Sequence, residues 1–126
     1  MKVLNARVHG MLDYVIAALF ALAPTLFGFE GTPQIVCYVV AAVHLTLSLF
    51  TAYPLSIAKL IPFPLHGKVE MVVVPSLVAL PWLAGFSDVT PARNFFLAAA
   101  ALIAVVALLT NYQSADATAR IEHARA

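Results

Sequence analysis

Residues 7–29, RVHGMLDYVIAALFALAPTLFGF, decide the fold, because residues 64–86, PLHGKVEMVVVPSLVALPWLAGF, repeat their frame. His9, Gly10 and Asp13 match His66, Gly67 and Glu70, and Pro24, Gly28 and Phe29 match Pro81, Gly85 and Phe86, all at an offset of 57 residues. Four of the five glycines serve this pattern, so it is unlike a chance match of apolar residues. After a two-residue insertion the later parts realign too, with Thr51 and Tyr53 against Thr110 and Tyr112. The chain reads as a tandem duplication in which each copy carries one acid inside an apolar run.

Working outward, the 126 residues are 63% hydrophobic and 10% charged, outside the range of soluble globular domains, which places the chain in a bilayer. Four apolar stretches, at roughly residues 8–27, 34–53, 67–86 and 93–111, approach the ~20 helical residues that cross a ~30 Å hydrocarbon core. They are continuous and not alternating, so they predict helices and exclude barrel strands. The expected fold is all-α, an integral membrane four-helix bundle made of two tandem helical hairpins related by a pseudo-twofold axis along the membrane normal. Residues 1–53 form the first two-helix repeat, 54–65 an interfacial cytoplasmic linker, 66–112 the second repeat and 113–126 a polar cytoplasmic tail.

Within each repeat a glycine closes the first helix and a proline opens the second: Gly28 and Pro33 in one copy, Gly85 and Pro91 in the other. The linker, PLSIAKLIPFPL, is too rich in proline to continue a span and too apolar to float in water. It reads as lying at the interface with Lys59 reaching the headgroups. The tail reads as an extension of the fourth helix, with Asp116 and Arg120 at i, i+4 spacing and His123 a solvated surface residue. Four spans put both termini on one side with Lys2, Arg7, Lys59, Lys68, Arg120 and Arg125, and leave Arg93 opposite. By the positive-inside rule both ends are cytoplasmic. A cleavable signal peptide is the rival reading of the first segment, through Ala21-Leu-Ala23. Pro24 after the cut, Asp13 inside the apolar run and the internal recurrence of the segment argue against it. Cys37 is the single cysteine, so it reads as a structural thiol with no disulfide partner in the chain.

The chemistry-bearing residues follow from the repeat. His9 and Asp13 are four apart, as are His66 and Glu70, so each pair lies on one helix face. Asp13 falls about 9 Å below the cytoplasmic boundary at ~1.5 Å per residue, where an ionised carboxylate needs an interior position and a partner. The repeat symmetry brings Glu70 to the equivalent place, giving a polar core of His9, Asp13, His66 and Glu70. Thr51, Tyr53, Thr110, Asn111 and Tyr112 end the second and fourth spans around its mouth, with Tyr14 nearby, either as a core rim or, for the tyrosines, as an interfacial aromatic belt. His44 lies deeper in the second span and breaks the symmetry, because its counterpart is Ile103. It is a further ligand or proton site, or a histidine satisfied by Asp13 or a backbone carbonyl.

Four uses of this core stay open on sequence grounds. It can lock the hairpins together through buried hydrogen bonds. It can hold a metal ion, with His9, Asp13, His66 and Glu70 as ligands. It can hold haem between two of His9, His44 and His66. It can conduct protons or a solute. No nucleophile elbow, phosphate loop or dinucleotide fingerprint is present, which gives no support to an enzyme. A net charge of +1 with basic residues placed by topology gives none to nucleic-acid binding.

HGMLDY with APTLFGF, then LHGKVEM with LPWLAGF, each followed by a second helix ending LFTAY or LLTNY, resembles the SPW-repeat family of small bacterial integral membrane proteins. The likeness covers most of residues 5–112. The name-giving Ser-Pro-Trp stands here as Ala23-Pro24-Thr25 and Leu80-Pro81-Trp82, so the proline is kept twice and the tryptophan once. The resemblance implies a bacterial inner-membrane protein with two hairpins and implies no activity. The expectation is a non-enzymatic structural or accessory module without a cofactor, set in the lipid bilayer and associating with itself or a larger membrane complex. The alternative is a haem or transition-metal protein of membrane redox chemistry, or a conductor of protons or a solute.

Overall fold

The computed structural model describes residues 2–114, and its four helices follow the four apolar stretches. Helix α1 spans Ala6–Phe27, α2 Thr32–Leu49, α3 Phe63–Leu83 and α4 Thr90–Leu109. At ~1.5 Å rise per residue, 18 to 22 residues make rods of roughly 27–33 Å, the thickness of a hydrocarbon core. All four are long and apolar enough to cross a membrane, which points to a membrane protein. Among the described residues there is no strand, only two isolated backbone bridges.

Local signals set the helix ends. The Asn5 side chain caps α1 by accepting from the Val8 N–H at 3.0 Å. Gly28 ends it with φ 67°, a left-handed conformation in which a side chain would be strained, and its N–H returns to the Pro24 carbonyl. Gly85 takes the matching conformation after α3, with φ 76°. Prolines open α2, α3 and α4, where the missing N–H costs nothing.

Three expectations about these ends are corrected. Helix α2 stops at Leu49 and α4 at Leu109, short of the apolar pattern, because Thr51 and Thr110 leave the helices to enter the two bridges. Helix α3 starts at Phe63, inside the expected linker. Helix α4 does not run on into residues 110–114, since Thr110 is extended and residues 112–113 turn; the rest of the tail, with the spacing of Asp116 and Arg120, and His123, lies outside the described residues. Lys59 Nζ donates to the Tyr53 carbonyl and to Ser56 Oγ, each at 2.8 Å, tying the linker to itself.

Helix α1 packs mainly on α2 and α3 on α4, and α1 also meets α4. The interior has two chemically different ends. Near the α1–α2 and α3–α4 turns, Phe20, Phe29, Phe86 and Phe96 form an apolar plug, with Phe86 and Phe96 ring centroids 5.1 Å apart. Near the chain termini, Ala6, Tyr53, Phe63 and Tyr112 enclose polar groups. The outside is apolar: Leu26, Val43 and Leu83 are 64%, 63% and 81% exposed, among many large hydrophobic side chains left uncovered on all four helices, a surface suited to lipid contact.

Candidate functional site

Two short bridges position the polar end. The Leu4 N–H donates to the Leu109 carbonyl at 2.9 Å and the Asn111 N–H to the Leu4 carbonyl at 2.8 Å. The Ile61 N–H donates to Phe50 O and the Ala52 N–H to Ile61 O, both at 2.8 Å. Leu4 and Ile61 hold matching places in the duplicated sequence, as do Thr110 and Thr51, so each bridge ties the entry of one hairpin to the exit of the other.

Below the bridges, the i, i+4 spacing turns His9 and Asp13 of α1, and His66 and Glu70 of α3, toward one another. All four are buried, Glu70 at 2% exposure and the others at 0%. His9 Nε2 lies 3.4 Å from Asp13 Oδ2, 3.4 Å from Glu70 Oε1 and 3.4 Å from His66 Nε2. His66 Nε2 lies 3.2 Å from Asp13 Oδ2 and 3.6 Å from Glu70 Oε1. One donor atom from each residue falls within 4.8 Å of all the others.

The threonines fix which imidazole nitrogen carries hydrogen. Thr110 Oγ1 donates its only proton to the Val106 carbonyl at 2.6 Å, so toward His9 Nδ1, 2.7 Å away, it can only accept. Thr51 Oγ1 likewise donates to the Leu47 carbonyl at 2.6 Å and accepts from His66 Nδ1 at 2.8 Å. Both histidines therefore hold a proton on Nδ1, and in the neutral ring each Nε2 presents a lone pair to the centre. Both contacts cross between hairpins, from α1 to the end of α4 and from α3 to the end of α2.

Tyrosines complete the carboxylates. Tyr53 OH donates to Asp13 Oδ2 at 3.1 Å and Tyr112 OH to Glu70 Oε2 at 2.5 Å. Gly10 and Gly67 make room for these rings: a Cβ on Gly10 would stand 3.3 Å from Tyr53, and one on Gly67 2.8 Å from Tyr112. Burial, reinforced by the neighbouring Asp13 charge, pushes the Tyr53 phenol above its ordinary pKa, and burial with the Glu70 charge does the same to Tyr112. Tyr53, at 0% exposure, is no aromatic-belt residue.

Other candidates divide. His44 Nε2 reaches 3.5 Å from Asp13 Oδ1 without a hydrogen bond, and its other side lines a groove of about 220 Å³ with Val39, Val43, Val72, Val73 and Ser76. Tyr14 donates not to the cluster but to the Leu55 carbonyl at 2.9 Å, pinning the linker. Asn111 is exposed, and its side chain accepts from the Gln113 N–H at 3.1 Å. Sequence reading passed over Phe63, whose ring stands edge-on to His9 at 5.1 Å and which fills the place that Ala6 holds in the first copy. Its bulk at a small-residue position was the available signal.

Chemically, the centre is two imidazole lone pairs facing two carboxylates. Such an array needs positive charge, supplied by imidazole protonation or by a bound cation. It suits haem poorly: Asp13 Oδ2 and Glu70 Oε1 flank the two Nε2 atoms at 3.2 to 3.6 Å, where a porphyrin ring around an iron held by both would have to pass. No family model matches the chain, and neither the curated proteins nor the solved structures gave a match.

Proposed function

We propose that this chain is a small multi-pass membrane module, non-enzymatic and structural or accessory in role, whose buried His/carboxylate core clasps two hairpins together. The observation that carries the reading is the reciprocal pair of contacts from His9 to Thr110 and from His66 to Thr51, which makes each hairpin's polar group depend on the other hairpin. Residues matched in the duplicated sequence make matched contacts, which supports two tandem repeats about a pseudo-twofold axis along the membrane normal. The same duplication supports membership of the SPW-repeat family. With the basic residues of the described linker and helix ends on the clasp side, that face is cytoplasmic, both termini lie there, and the membrane is the bacterial inner membrane. The apolar flanks contact lipid and offer surface for a second copy or a larger membrane complex.

The test compares wild type and His9→Ala in native membranes and in detergent. Both resist alkaline carbonate extraction, terminal reporters on both stay cytoplasmic, and the variant alone unfolds several degrees lower, since losing one member of a buried polar group costs about 1–3 kcal/mol or more. Carbonate release of the wild type, or equal stability of the two, overturns the reading.

A further inference from the structure

We propose that His9 Nε2, Asp13 Oδ2, His66 Nε2 and Glu70 Oε1 bind one divalent transition-metal ion, zinc being the ion whose preferences they match, as a staple between α1 and α3. The inference rests on the clasp reading and adds the ion that completes it.

Distance comes first. Zinc sits at ~2.0–2.1 Å from nitrogen and ~2.0–2.2 Å from oxygen in a tetrahedron, whose edges are then about 3.3–3.5 Å. Five of the six pairs among these donors measure 3.2 to 3.6 Å, and all four donors lie within 4.8 Å of one another.

Charge and lone pairs agree with distance. The threonines keep hydrogen on Nδ1, so the neutral imidazoles offer Nε2 to the centre. Two carboxylates supply two negative charges, which a divalent ion balances. Glu70 Oε1 is buried, has no hydrogen-bond partner among the described residues and faces both Nε2 atoms. Two imidazoles with two carboxylate oxygens suit zinc and its first-row neighbours, not calcium or magnesium, which take six or more oxygens.

The surroundings are those of a metal site as well. A ligating histidine normally donates its second N–H to a fixed acceptor, and Thr110 and Thr51 serve here. Tyr112 orients Glu70 through the other carboxylate oxygen, and Tyr53 orients Asp13. Four protein donors leave no open position, so the ion is structural and not hydrolytic. His44 stays outside the donor set, facing the remaining oxygen of Asp13.

The experiment uses full-length protein in detergent, stripped with a chelator, dialysed, and titrated with Co²⁺ alone and then with Zn²⁺ alone. The expected result is saturation at one equivalent, visible absorption of tetrahedral Co²⁺ that Zn²⁺ bleaches, and a melting temperature that rises with metal. Glu70→Gln and Asp13→Asn, which preserve shape, keep helical circular dichroism and lose more than ~100-fold in affinity, while His44→Gln binds like wild type. Absence of one-equivalent binding, or wild-type affinity in folded Glu70→Gln, overturns the metal site. A chain that binds no metal yet is destabilised by His9→Ala loses this inference and keeps the clasp.

Discussion

His9 and His66 aim their Nε2 atoms at one another across 3.4 Å while each ring's Nδ1–H is held by a threonine of the opposite hairpin. The central face of the pair is thereby left as lone pairs among carboxylates, and the outer face becomes the join between the two halves.

Tyr112 contributes through Glu70. Tyr112→Phe removes the hydrogen bond that orients the carboxylate, and outer-shell partners of this kind are typically worth 10–100-fold in metal affinity. Co²⁺ titration of the folded variant is expected to show a loss in that range with one-equivalent stoichiometry intact, whereas Tyr38→Phe, altering a tyrosine on the far end of α2, leaves affinity unchanged.

The two glycines of the duplicated frame are not equivalent. Alanine at Gly67 puts Cβ 2.8 Å from the Tyr112 ring, which must swing and drag its hydroxyl from Glu70; alanine at Gly10 asks Tyr53 to yield only a few tenths of an ångström. Gly67→Ala is expected to cost about 1–3 kcal/mol by overpacking. Gly10→Ala costs less, because gaining alanine's helix propensity offsets it by up to ~1 kcal/mol. Thermal unfolding of both variants in one detergent checks the order.

Alkaline pH should attack the same end. Tyr53 and Tyr112 have folded pKa values raised above the ordinary 10.0, so their contribution is full below pH 10 and declines above it as the unfolded chain ionises while the folded one resists. Stability is expected to fall from about pH 10 upward, with tyrosinate absorbance from these two residues appearing only on unfolding. The Tyr53→Phe, Tyr112→Phe double variant should show a flatter decline.

Much of this was legible in the chain. Four apolar runs punctuated by Gly28, Pro33, Gly85 and Pro91 specify four helices, and the recurring His-Gly and acid positions pick out the residues that meet in the centre. What escaped was non-local. One-residue bridges at Leu4–Thr110 and Ile61–Thr51 have no periodic signature, so α2 and α4 were drawn too long and the threonines placed at a rim. Gly10 and Gly67 show in the sequence only as matched positions of the repeat, and nothing local tells that each faces a tyrosine from its own hairpin. Tyr14 and Asn111 share the rim's level in sequence, yet their side chains engage the linker and the final turn.

The clasp is tested most directly by a double-mutant cycle of His9→Ala and Thr110→Val, read as unfolding free energies of the detergent-solubilised chain. The prediction is a coupling of about 1 kcal/mol or more, the double variant losing less than the two single losses combined. Additivity within about 0.5 kcal/mol would show that these residues do not depend on one another across the hairpins, and would contradict the account.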